Sequence, residues 1–212
     1  MSVLQEIAEK VEKGKAADVK LLVQKAIDEK TPAQDILNQA LVKGMENIGV
    51  KFKANEVFIP EVLIAARAMK SGMELIKPLL AEQKFKAKGK VCVATVKGDL
   101  HDIGKNIVCM MFEGAGFEVV DLGIDCSKEK FVEAIKREQP DILGMSALLT
   151  TTMVYMKEVV EELNKAGLAK KPRILIGGAP ITQAYADEIK ADGYAADAAS
   201  AVDVAKKLLN VA

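Results

Sequence analysis

The chain runs to 212 residues, half of them hydrophobic, enough to bury one large core or two small ones. Thirty lysines and arginines balance thirty aspartates and glutamates, so the formal net charge is zero, which argues against nucleic acid or an anionic membrane as the main partner. The first residues lack a cationic start followed by an apolar run and no segment reads as membrane-spanning, so a cytoplasmic location is expected.

The first third reads as helices. Two short amphipathic segments are expected over residues 2–13 and 16–29. Thr31-Pro32-Ala33-Gln34 has the form of a capping box that starts a third helix, with proline at the first helical position. Leu37, Leu41, Met45, Ile48 and Phe52 then fall on one face at helical spacing. A fourth helix follows Pro60, with Val62, Ala66, Met69, Met73 and Ile76 as its apolar stripe, and Pro78 should end or kink it. Four helices over residues 1–82 suggest a small bundle domain. The lysine-rich stretch 83–89 reads as a solvated linker.

From residue 90 the period changes. Strands are expected at 90–96, 118–122, 141–146 and 172–176, with a weaker one at 193–196. Helices are expected between and after them, at 103–116, 128–138, 150–167, 181–191 and 200–210. This alternation predicts an α/β domain over residues 90–212, a flavodoxin-like doubly wound five-stranded parallel sheet covered on both faces. Such sheets bind ligands beyond the carboxyl ends of their strands, where strand order reverses. In a flavodoxin-like order the reversal lies between the first and third strands, so the loops carrying Asp99–Gly104 and Ser146–Thr152 should meet there.

Three cysteines, Cys92, Cys109 and Cys126, stand far apart inside apolar elements, as in a reducing compartment. With a single histidine and no close cysteine pair, a structural zinc site is not expected.

That histidine, His101, lies in Gly98-Asp99-Leu100-His101-Asp102-Ile103-Gly104, directly after the first strand. A solitary imidazole two residues beyond a carboxylate is built like a metal ligand fixed in one tautomer by its neighbour. Each feature also has a plainer explanation. His101 alone suits a satisfied loop histidine, Asp99 a helix cap, and Ser146 with Thr150, Thr151 and Thr152 an ordinary strand-to-helix turn. Gly177-Gly178 alone suits a tight turn.

Taken together, Asp99-x-His101-x-x-Gly104, Ser146-Ala147-Leu148 and Gly177-Gly178 resemble the cobalamin-binding fingerprint. Lys105-Asn106-Ile107 and Val120-Asp121-Leu122-Gly123 fit the same pattern. The leading helices, from Gly44-Met45-Glu46-Asn47-Ile48-Gly49 through Phe58-Ile59-Pro60-Glu61-Val62, resemble the methyl-cap bundle that precedes this domain in cobalamin-dependent methionine synthase. They also resemble the corrinoid proteins of methanol, methylamine, betaine and aryl-ether methyltransferase systems.

The resemblance implies a cobalamin or related corrinoid cofactor held with its own base displaced and its cobalt ligated by His101. Asp99 would take the other imidazole N–H, and Thr152, where methionine synthase carries serine, would complete the relay. Gly98, Asp99, Leu100, Asp102, Ile103 and Gly104 would contact the cofactor. Its nucleotide tail would run past Ser146, Leu148, Thr150, Gly177 and Gly178, with a late contact near Ala199 and Ser200. Phe52, Ile59 and Val62 match residues that cover the cobalt-bound methyl group and must move aside at each transfer.

The implied function is a methyl carrier shuttling between a substrate-specific methyltransferase and a methyl-accepting methyltransferase directed to tetrahydrofolate or a thiol, kept active by a reductive partner. It would be a subunit of a multi-component system rather than an enzyme alone. A cobalamin-binding sensor or regulator, an adenosylcobalamin mutase subunit and a flavodoxin-like flavin-binding module are the other classes consistent with a domain of this type.

Overall fold

The computed structural model describes residues 2–82 and 87–211, so residues 83–86 of the expected linker lie outside the described residues. The chain divides into two compact units, one helical and one α/β.

The helical unit comprises α1 (Val3–Glu12), α2 (Ala16–Asp28), α3 (Ala33–Asp35), a π-helical segment (Ile36–Val42), α4 (Lys43–Lys53) and α5 (Ile59–Glu82). Ser2 starts α1 with a true capping box: its hydroxyl accepts from the Gln5 N–H at 3.3 Å, and the Gln5 side chain accepts from the Ser2 N–H at 2.9 Å. The box expected at Thr31 does not form. The next helix starts after Pro32, with no side-chain cap. Thr31 is instead committed to closing α2: Lys30 adopts φ +60°, its N–H donates to the Ile27 carbonyl, and the Thr31 N–H donates to the Ala26 carbonyl, both at 2.9 Å. This is the left-handed closure usually given to glycine.

The third expected helix is continuous from Ala33 to Lys53, but its Ile36–Val42 turns are π-helical. Five of those seven residues, Ile36, Leu37, Ala40, Leu41 and Val42, are buried, because the widened turn spreads the apolar face. Leu37, Leu41, Met45 and Ile48 are at most 2% exposed, and Val62 and Ile76 of α5 are fully buried beside Ile7, Val11, Val19 and Val23. Each such aliphatic side chain contributes about 1.5–3 kcal/mol on leaving water. Pro78 does not end the helix. It lies within α5, which continues to Glu82 with one fewer backbone donor.

The α/β unit contains β1 (Lys90–Val96), α6 (Ile103–Gly114), β2 (Glu118–Cys126), α7 (Lys128–Glu138), β3 (Ile142–Ser146), α8 (Thr150–Lys165), β4 (Arg173–Gly177), α9 (Gln183–Ile189), β5 (Gly193–Ala195) and α10 (Ala198–Leu209). All strands run parallel in the order β2-β1-β3-β4-β5, the expected flavodoxin-like arrangement. Residues Val91 to Val96 of β1 are all buried, as a central strand covered on both faces requires.

In register, Thr95 pairs with Ser146, Ser146 with Gly177, and Gly177 with Ala195, so the strand ends form one aligned edge. β2 is longer than expected, reaching Cys126, because register shifts let it keep pairing with β1 past Asp121. α10 starts earlier than expected, at Ala198, where the Asp197 side chain accepts from the Ser200 N–H at 2.7 Å. No described helix is long and apolar enough to cross a membrane.

The end of β4 is shaped by backbone contact alone. Gly178 has φ +130°, and a Cβ there would stand 1.9 Å from the Ala147 carbonyl oxygen. Gly178→Ala should therefore lower the stability of the cofactor-free protein by roughly 2–4 kcal/mol, measured by urea unfolding. An unchanged midpoint would show that the β3 loop is free to move away.

Candidate functional site

The site is built where β1 and β3 end. After Val96 the chain turns through Gly98 at φ +79°, whose N–H donates to Asp125 Oδ1 at 2.7 Å. The turn carries Asp99 under the sheet edge, where its side chain is fully buried. Four donors meet its carboxylate. Oδ1 accepts from the His101 N–H at 3.0 Å and lies 2.7 Å from His101 Nδ1. Oδ2 accepts from the Leu148 N–H and from the Thr152 hydroxyl, each at 2.7 Å.

One side chain thus ties the loop after β1 to the loop after β3. The Thr152 hydroxyl also lies 3.0 Å from the Leu149 carbonyl, leaving the nearer carboxylate as its principal acceptor. From the sheet, Thr95, itself fully buried, donates to the His101 carbonyl at 3.0 Å.

These contacts fix protonation as well as position. Burial pushes the Asp99 carboxyl up, but hydrogen bonds from the Thr152 hydroxyl, the Leu148 and His101 N–H groups and the His101 ring outweigh it. They hold the group well below the usual carboxylate range. A carboxylate can only accept, so His101 Nδ1 carries the proton and the lone pair is left on Nε2. The ring is half exposed while its partner is fully buried, so Nε2 is presented outward from a rigid base.

The surface around the ring is apolar: Leu100 is 67% exposed, Ile103 70% and Leu148 44%. A Cβ added to Gly104 would meet no protein atom within 4 Å, so the protein's own packing does not account for a glycine at the start of α6. Among the described residues no three His, Cys, Asp or Glu side chains cluster to hold a metal ion. A metal at His101 must therefore bring most of its coordination with it. A half-exposed imidazole, an apolar surround and an open glycine fit a large flat ligand with a pre-chelated ion.

Of the residues singled out in the sequence, the structure joins Asp99, His101, Leu148 and Thr152 directly. Asp102 accepts from the Asn106 side chain at 3.1 Å. Ser146 ends β3 half-buried, Thr150 is the exposed first residue of α8, and a Cβ on Gly177 would sit 3.0 Å from the Ala195 carbonyl. Ala199 is buried at the start of α10, and the Ser200 hydroxyl is engaged with Asp197 in the cap of that helix.

In the helical unit Phe52 is half-buried, Ile59 is 41% exposed and Val62 is fully buried. Sequence reasoning missed Thr95 and Asp125. A polar residue inside Val91-Cys92-Val93-Ala94-Thr95-Val96 was the available sign of the first.

Asp99→Asn should leave two donors facing an amide N–H₂ and cost about 2–3 kcal/mol at neutral pH. Because the folded-state pKa of Asp99 is lowered, its stabilisation is present above the ordinary carboxylate value, about 4, and is lost as pH falls through the folded value. The gap in unfolding midpoint between parent and variant should therefore narrow between neutral pH and pH 3. A gap independent of pH would contradict the charged assignment.

Two family models, each described as a B12 binding domain, match residues 89–203 and residues 3–77. The chain is 43% identical over 212 residues to a corrinoid protein of Desulfitobacterium hafniense, covering 99% of this chain and 98% of that one. It is 44% identical over 207 residues to dimethylamine corrinoid protein 1 of Methanosarcina acetivorans, covering 97% of each. Among solved structures, a chain of the methanol:cobalamin methyltransferase complex of Methanosarcina barkeri matches with TM-score 0.88 and 33% identity, covering 98% of this chain and 80% of that one. With matches of this extent lying over a buried Asp99 paired with a half-exposed His101, the chain belongs to the corrinoid proteins built on the B12 binding domain.

Proposed function

We propose that this chain is the methyl-carrying corrinoid subunit of a multi-component methyltransferase system, with His101 Nε2 as the protein's axial ligand to cobalt. The observation that carries the reading is the Asp99 carboxylate lying 2.7 Å from His101 Nδ1 while the Leu148 N–H and the Thr152 hydroxyl donate to its other oxygen. When bound, the corrinoid supplies a cobalt ion that takes up and hands on a methyl group.

The chain's own residues bind, orient and exclude. Asp99 keeps the proton on Nδ1 and so leaves the Nε2 lone pair for the metal, and Thr152 donates to the other carboxylate oxygen. Leu100, Ile103 and Gly104 would meet the ring system, with Gly98 and Asp102 shaping the loop beneath. Ser146, Leu148, Thr150, Gly177 and Gly178 would flank the nucleotide tail, with Ala199 and Ser200 near its far end. His101 would hold the corrinoid's cobalt in place of the cofactor's own base.

In the helical unit, Phe52 and Ile59 retain exposed apolar surface suited to shielding a reactive group from water and oxygen, whereas Val62 acts from the bundle core. The names of the relatives support a partner methyltransferase specific for a small methylated donor. A second, methyl-accepting methyltransferase directed to tetrahydrofolate or a thiol and a reductive activator complete the system.

His101→Ala should bind cobalamin at least tenfold more weakly and lack nitrogen splitting in the cobalt(II) electron paramagnetic resonance spectrum. An unchanged spectrum would refute the axial role. Phe52→Ala should leave cobalamin affinity nearly unchanged but shorten the lifetime of the methylated protein in air severalfold. Equal lifetimes in variant and parent would remove Phe52 from the cap.

A further inference from the structure

Lys105 is a buried cation that the Asp99–His101 relay does not use. Its side chain is 2% exposed, and it is the third residue of α6. A lysine there is opposed twice, by desolvation and by the positive end of the helix dipole. Its Nζ donates to Asp121 Oδ2 at 2.5 Å and to Asn106 Oδ1 at 2.7 Å. The Asn106 side-chain amide donates in turn to Asp102 Oδ2 at 3.1 Å, and its backbone N–H donates to the Asp102 carbonyl at 2.8 Å. The chain of contacts therefore ends on the residue next to His101.

A second, independent feature points the same way. β2 keeps regular register with β1 up to Val93 opposite Asp121, then slips between Val93 and Ala94 and again between Ala94 and Val96. Bulges bend a strand and re-aim its side chains. Here the carboxylates at the two ends of the irregular stretch reach the two ends of the histidine loop. Asp125 takes the Gly98 N–H at 2.7 Å, and Asp121 takes Lys105.

We propose that Lys105 is a positioning residue for His101: this buried lysine, paired with the half-exposed carboxylate of Asp121 and relayed through Asn106 to Asp102, clamps the histidine loop to the bulged end of β2 in the geometry that cobalt ligation needs. The proposal rests on the axial-ligand reading above. Because Asp121 is 44% exposed, replacing the lysine by an apolar side chain of like length leaves no buried unpaired carboxylate, and a purely structural contact would show in stability alone.

The test uses the full chain loaded with cobalamin and compares the parent with Lys105→Met, Asn106→Ala and His101→Ala. Lys105→Met should unfold near the parent's urea midpoint when cofactor-free, yet bind cobalamin about tenfold more weakly. The pH at which nitrogen splitting disappears from its cobalt(II) spectrum should rise by about one unit, the equivalent of a tenfold weaker ligation. Asn106→Ala keeps the lysine–aspartate pair but removes the link to Asp102, and should shift both readouts in the same direction. It also carries the test if Lys105→Met fails to fold. Parent-like affinity and pH midpoint would overturn the clamp. A parent lacking the nitrogen splitting, like His101→Ala, would instead sink the ligation reading and the clamp with it.

Discussion

A carboxylate moved out of water costs several kcal/mol unless donors surround it, and Asp99 is surrounded by four drawn from two loops. That requirement organises the α/β unit's functional edge. Either loop could shift only by leaving part of a buried charge unmet, so the loops after β1 and β3 behave as one body. The same donors that offset the burial keep the group ionised, and an ionised Asp99 in turn decides which imidazole nitrogen holds a proton. Structure and chemistry meet on a single side chain, and the exposed ring inherits its orientation from a residue that solvent never touches.

The parallel strand order is what makes this economical. With β1 and β3 adjacent and β2 on the other side of β1, helices leave the sheet in opposite directions, and their first turns diverge around the loop carrying His101. Thr95 anchors that loop from the strand beneath, and Asp125 from the flanking strand. Rigid elements thus hold the His101 loop that by itself would be mobile.

Much of this was legible in the residues. The change of hydrophobic period near residue 90 and the alternation after it pointed to the fold class and the strand order, and the Asp99-x-His101 spacing pointed to the contact between those two side chains. Other features were hidden for physical reasons. Thr31 carries every local mark of a helix cap, yet its backbone N–H closes the preceding helix, a competition that local pattern does not resolve. Pro78 reads as a stop, but packing carries α5 past it. Lys105, one residue beyond a glycine and opening a helix, looks like solvated surface, and only the pairing of β2 beside β1 brings Asp121 within reach of it. Gly178 looks like a ligand-facing glycine, whereas the nearest obstacle to a side chain is the protein's own Ala147 carbonyl.

The kinks in β2 have one more effect. As the outermost strand it offers unpaired peptide groups along its free side, the kind of border on which another polypeptide can lay down a strand. Left-handed residues at Gly123 and Asp125 break the even spacing of those groups, and the opposite border, β5, is only three residues long. A sheet with one crooked margin and one stunted margin is poorly suited to growing by edge-to-edge stacking.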